Sequence, residues 1–291
     1  MLAGTIGVVL CEEAGPRTLG GALVWALRNR ATALDLVVDR CGPELARRAE
    51  YFTLTIRVFE LSGPDDLVEV VADPLPAVLP APDLPDDLAA TFERAGVDVV
   101  VEFGIIRGEV RGLEVARVVS GDDATQHIEV GVGRFDREAS AMINEGRPAL
   151  DTLQRAADLV RASRHVGGSD THPLHSMGRA RWLRRAVVDD PSMIGAAELH
   201  PVELTADVPN LRDNWPAAAV GIGLGGSPVV VVTTTGLDLD VFPMAADARA
   251  LHGANARLVV LADRQLPGVL IAVNDALREP AEVIVAEPGW S

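Results

Sequence analysis

Short runs of β-branched and aliphatic residues recur at both ends of this chain, each separated from the next by a stretch with helical spacing. That alternation constrains the fold more than any other feature, because strands joined through helices lie side by side in parallel with right-handed crossovers. Residues 5–10 read as a buried strand, and residues 18–30 as a helix with Leu19, Leu23, Ala26 and Leu27 on one face. A second buried run at 34–38, a helix at 44–50 opened by Gly42-Pro43, and an alternating strand at 53–60 complete a β-α-β-α-β unit, to which 66–72 adds an edge strand. The last hundred residues return to this pattern. Residues 217–222 and 228–234 form a hairpin across Gly225-Gly226, and a helix at 240–251, a strand at 258–262, a helix at 267–277 and a strand at 282–287 follow. Leu36-Val37-Val38-Asp39-Arg40 with Pro43 is echoed by Leu258-Val259-Val260 with Asp263-Arg264 and Pro267. Either an ancient duplication of a three-strand α/β unit or a chance recurrence of apolar strands followed by Asp-Arg accounts for the echo.

Between the ends, residues 73–85 carry Pro74, Pro76, Pro80, Pro82 and Pro85, a density that denies both helix and ladder donors and predicts an extended linker. The expected organisation is therefore an α/β unit at 1–72, the linker at 73–85, a middle unit at 86–190 and a second α/β unit at 191–291. In the middle unit a helix at 86–95 precedes strands at 99–103, 109–119 and 126–132. Helices at 135–144 and 148–164, a polar loop at 167–171 and a helix at 176–189 follow. The fold class is α/β, with parallel or mixed sheets flanked by helices.

All 26 basic residues are arginine, so any chemistry that needs a lysine is excluded, including the P-loop nucleotide site and Schiff-base catalysis. Against them stand 42 acids, and a net charge of -16 makes nucleic acid an improbable partner. Cys11 and Cys41 are too few for a disulfide framework and read as free thiols in a reducing, cytoplasmic setting. No apolar stretch reaches the roughly 18 residues of a membrane span, and the first twelve residues read as a strand, not a signal peptide.

Four groups of residues carry candidate chemistry. His165, Asp170, His172 and His175 lie within one short stretch and would suit a divalent metal if the loop gathered them; a plain polar loop is the alternative. Arg179, Arg181, Arg184 and Arg185 follow, with His172 nearby, and are either an anion site or a solvated helix face. Beyond the carboxyl ends of parallel strands, where ligands of open α/β sheets settle, stand Glu12, Glu13 and Gly15, then Thr233, Thr234, Thr235, Gly236, Asp238 and Asp240. The Thr-Gly turn can offer hydroxyls and amides to an anion, and the two aspartates can be a metal or base pair or, for Asp240, a helix cap. Glu114 and Glu129 on neighbouring strands form the fourth group.

The order α-β-β-β-α, with Gly108-Glu109-Val110-Arg111-Gly112-Leu113-Glu114 on one strand and His127-Ile128-Glu129-Val130-Gly131 on the next, resembles the core of restriction-endonuclease-like nucleases. The resemblance implies that Glu114 and Glu129 are catalytic and share a divalent ion that activates water. Gly131 stands where that family keeps its lysine, which points to a degenerate scaffold. The chain also resembles an uncharacterised actinobacterial protein family, through Gly112-Leu113-Glu114-Val115-Ala116-Arg117, His172-Pro173-Leu174 and Arg181-Trp182-Leu183-Arg184. Asp238-Leu239-Asp240 and Ala245-Ala246-Asp247-Ala248-Arg249 carry the same likeness, which implies no activity. The sequence thus points to a binding or regulatory module for an anionic small molecule or protein partner. The contrasting reading is a metal-dependent hydrolase using Glu114 and Glu129 or the histidine loop, and an oligomer interface is a third.

Overall fold

The computed structural model describes residues 1–63, 66–121, 125–133, 136–137, 148–168, 172–206 and 213–291. The amino-terminal sheet runs in the order β1 (Leu2–Ala3), β2 (Ile6–Cys11), β3 (Ala33–Val38), β4 (Thr55–Gly63), β5 (Asp66–Glu69). Strands β2, β3 and β4 are parallel, linked through α1 (Leu19–Arg28) and α2 (Gly42–Ala49), while β1 and β5 pair antiparallel at the edges. Residues 73–85 form no helix or strand, as their prolines demand.

The middle unit holds α3 (Asp86–Ala95) and an antiparallel meander of β6 (Asp98–Glu102), β7 (Ile105–Val110), β8 (Leu113–Ser120) and β9 (Gln126–Val130). After these come α4 (Ala149–Ser163), the single turn α5 (Pro173–Ser176) and α6 (Arg179–Asp189). Where the sequence predicts one strand over 109–119, the chain folds back at Arg111 and Gly112, whose φ values of 49° and 72° make a two-residue hairpin turn. The described order is therefore α-β-β-β-β, one strand more than the nuclease-like pattern. An arginine in the left-handed region hides that turn from a reading based on Gly, Asn and Asp pairs. The helix expected at 135–144 lies outside the described residues, apart from a helical turn at Asp136 and Arg137.

The last sheet has the order β10 (Ala196–Val202), β11 (Ala217–Gly223), β12 (Pro228–Thr234), β13 (Arg257–Ala262), β14 (Glu282–Val285). Strands β12, β13 and β14 are parallel through α7 (Val241–His252) and α8 (Gly268–Asp275), and β11 joins β12 as the expected hairpin. Strand β10 has no forerunner in the sequence reading.

The first and last units share one core. Leu34, Leu36, Val38 and Val58 of the first sheet and Val230, Val232, Leu258 and Val260 of the last close on α1, α2, α7 and α8 between them. Asp247 of α7 is fully buried in this layer and takes Arg47 (3.0 Å) and Arg48 (2.9 Å) from α2, with Thr205 and Tyr51 as further donors. Burial opposes ionisation of Asp247, but the guanidiniums and Thr205 outweigh it and hold its pKa below the usual range. A second core lies between α3, α4 and the middle sheet, and a third lies where Leu183 and Val187 of α6 cover Val229, Val231, Val259 and Leu261 on the outer face of the last sheet.

A candidate anion-binding cleft

The four arginines of α6 divide by direction. Arg181 and Arg184 are buried, and each bridges the same two carboxylates of the middle sheet: Arg181 reaches Glu102 at 2.6 Å and Glu109 at 2.7 Å, while Arg184 reaches Glu109 at 3.0 Å and closes on Glu102. Burial raises the pKa of Glu102, but Arg181, Arg184 and Arg107 outweigh it and bring the carboxyl down to about 2. Arg185 turns to Asp98 (3.1 Å) and Asp189 (2.6 Å). Two of the expected ligand-binding arginines are therefore neither a solvated face nor an open anion site; they fasten the middle sheet to α6 while the apolar face of the same helix packs on the last sheet. The partner acids come from strands more than seventy residues away, which no local pattern announces.

Arg179, at the first position of α6, points elsewhere. It lines a cleft of about 180 Å³ with Ser176, Asn214, Thr235, Gly236, Asp263 and Arg264. Thr234 of β12 and Ala262 of β13 are register partners in the parallel pair, so Thr235-Gly236 and Asp263-Arg264 are the residues just beyond two carboxyl ends, where such sheets bind ligands. Gly236 takes φ +68° and donates its amide to Asp263 Oδ1 at 2.9 Å, and Asp263 also holds Arg264 at 2.9 Å. Thr235 donates its hydroxyl to Asn214 at 2.8 Å. The start of α6 brings the positive end of a helix dipole to the same wall.

Behind the wall, Arg179 lies over the Trp290 ring (5.2 Å), Trp290 meets Trp182 edge-on (6.0 Å), and buried Arg164 lies over Trp182 (4.5 Å). Arg164 donates to the carbonyls of Arg111, Leu174 and Met177. Burial, reinforced by Arg179, pushes the Arg164 pKa down to about 9. Arg179 also donates to Ser291 at 3.0 Å. Asp213 completes the rim and gives the cleft acid as well as base.

The structure does not gather the other candidates at this place. Thr234 is buried one residue below the cleft, while Thr233 donates to the carbonyls of Ala180 and Ala217. Asp238 is buried at the seam of the two α/β units, accepting from Arg17 at 2.8 Å and the Asp240 amide at 3.0 Å; its second oxygen has no hydrogen-bond partner among the described residues. Asp240 stands at the start of α7 as expected but does not cap that helix. Its carboxyl accepts the Gly20 amide in the first turn of α1 at 2.7 Å, and burial, with Asp238 beside it, pushes its pKa up to about 7.

The histidine loop is dispersed. His165 is exposed with Nδ1 near its neighbour's carbonyl, and exposed His172 caps α5 by accepting the Leu174 amide at 3.3 Å. His175, expected at an open helix start, is buried edge-on against Trp182 at 5.1 Å. Asp170 lies outside the described residues. Among the described residues no three His, Cys, Asp or Glu side chains converge as a metal site. Glu114 likewise faces guanidiniums, with Arg107 at 3.2 Å, Arg137 at 2.9 Å and Arg117 closer still. Glu129 is on the half-exposed rim, 3.9 Å from Arg137. Arginines occupy the space in which the two carboxylates would have to share a cation, so the geometry offers the expected catalytic pair no metal-binding arrangement.

The fold and cleft together define a mixed α/β protein with a small polar cleft at the carboxyl ends of its parallel strands. No family model matches the chain, and no curated protein or solved structure matches it either.

Proposed function

We propose that this protein is a binding or regulatory module for a small anionic ligand held in the cleft between α6 and the loops after β12 and β13. The observation that carries this reading is convergence: Arg179 at the start of α6, Arg264 beyond β13 and the Thr235-Gly236 turn beyond β12 line one cleft at the carboxyl ends of two parallel strands. Guanidinium forks match phosphate or carboxylate oxygens, and hydroxyls with a helix start complete an oxyanion environment. At about 180 Å³ the cleft is well below the roughly 300 Å³ at which drug-sized pockets begin, so the ligand is of the size of phosphate or a short carboxylic acid. Asp213 suits a hydroxyl or ammonium donor on the same ligand. Both cysteines are free thiols, which supports a reducing, cytoplasmic site of action. No described helix is long and apolar enough to cross a membrane.

Titration calorimetry with inorganic phosphate and with succinate tests the reading. Binding of either anion to the wild type should weaken about tenfold or more in Arg179→Gln, the loss expected for one charge-assisted hydrogen bond of roughly 1.5 to 3 kcal/mol. Equal affinity in both proteins would place the anion elsewhere.

A further inference from the structure

The outer face of the last sheet is sealed under α6, but no described helix covers the corresponding face of the first sheet. In register across β2, β3 and β4, that face presents Ile6, Ala33 and Thr55, then Val8, Asp35 and Arg57, then Leu10, Val37 and Phe59. No described helix packs on it, because α1 and α2 both lie on the inner side. Leu10 is 59% exposed, Leu61 44% and Leu67 51%. Parallel strands are almost always covered on both faces.

We propose that a second copy of this chain covers this face, sheet against sheet about a two-fold axis. Charge selects that occupant. The chain carries a net charge of -16, so two copies repel over most of their surface. The centre of this face is instead balanced: Arg57 pairs with Asp35 at 2.7 Å and lies over Phe59 at 5.3 Å, with apolar rows on either side. A two-fold axis running along the strands, midway between β3 and β4, sets the Arg57 of each copy against Asp35 of the other, which makes the patch self-complementary. The five strands, two to nine residues long and about 4.8 Å apart, present roughly 430 Å² per copy. Two copies then bury roughly 850 Å² before side-chain relief is counted, the size of a weak, reversible interface.

Sedimentation equilibrium of the full chain tests the proposal, with circular dichroism and phosphate titration as controls for folding and for the separate cleft. The wild type should be a dimer, and Leu10→Asp with Phe59→Asp should make it monomeric without altering either control. Arg57→Asp alone should weaken the dimer at least tenfold, and adding Asp35→Arg should restore it. A monomeric wild type at every concentration overturns the proposal, as does a dimer that survives the paired substitution. A monomer that binds a synthetic peptide of residues 179–189 through Leu10 and Phe59 also overturns it, and gives the face to an amphipathic helix instead.

Discussion

The two α/β units run through the same sequence of elements, a hairpin followed by helix, strand, helix, strand, and they share a local device. Asp39, just past β3, accepts the amides of Glu13 and Ala14 in the loop after β2; Asp263, just past β13, accepts the amide of Gly236 in the loop after β12. In each unit an aspartate beyond the second parallel strand holds the turn beyond the first, which favours duplication over chance as the source of the Asp-Arg echo. The units differ in what lies outside them. The last sheet has a full-length antiparallel neighbour in β11 and a helix over its outer face, while the first has a two-residue β1 and no described helix over that face. One plan yields a polar cleft where α6 abuts the strand ends and, in the other unit, a largely apolar face that no described helix covers.

The comparison breaks most completely at the seam between the units. Asp247→Ala leaves Arg47 and Arg48 buried without their shared carboxylate, and stability to urea should fall by about 3 to 5 kcal/mol. A loss below about 1 kcal/mol would mean that the seam is apolar packing alone. Next in size is Glu109→Ala, which leaves two buried cations, Arg181 and Arg184, sharing Glu102 alone at the junction of α6 with the middle sheet. We expect roughly 3 kcal/mol, with hydrogen exchange rising in β6, β7 and α6 before it rises in the shared core. Uniform exchange would show that the middle unit does not open separately.

Gly20 sharpens the contact between α1 and α7, since a Cβ there would lie 2.0 Å from the Leu239 carbonyl oxygen. Gly20→Ala should cost about 1 to 3 kcal/mol by forcing the two helix starts apart, whereas Gly21→Ala, with only Leu239 Cδ1 at 4.0 Å, should be nearly neutral. The pH dependence of the same contact is read as a slope. Asp240 keeps its proton up to about pH 7 in the folded chain but loses it near its ordinary value of 3.8 when unfolded. Its contribution therefore falls as pH rises between those values, by at most about 1.4 kcal/mol per pH unit, and is constant above them. Asp240→Asn should flatten the decline of thermal stability between pH 5 and pH 7; an unchanged slope would show that Asp240 is ionised throughout.

Much of this architecture was legible in the residues. The helix at 86–95 stands at its expected bounds, with Asp86 and Asp87 in its first turn and not as caps, and the parallel units follow from apolar runs alternating with helical spacing. What escaped was written in single residues or in distant partners. Arg111 takes a glycine-like conformation and splits one expected strand into two. His175 is buried because Trp182 stands against it, and Arg181 and Arg184 look like surface charges until Glu102 and Glu109 are brought to them. Of the cleft, the Thr-Gly turn and Arg179 could be anticipated; Arg264 was visible only as part of the Asp-Arg echo, and Asn214 gave no signal.

By itself the sequence determined the fold class, the alternation of strands and helices, the extended linker and the exclusion of lysine chemistry. These follow from backbone sterics, hydrophobic period and side-chain inventory, all of which act over a few residues. Only the tertiary structure decided that the two ends share one core, which arginines meet Glu102 and Glu109 and which line a cleft, and whose helix Asp240 caps. Those outcomes depend on charges and amides meeting across tens to hundreds of residues, where Coulomb attraction and desolvation act on distance in space and not on position in the chain.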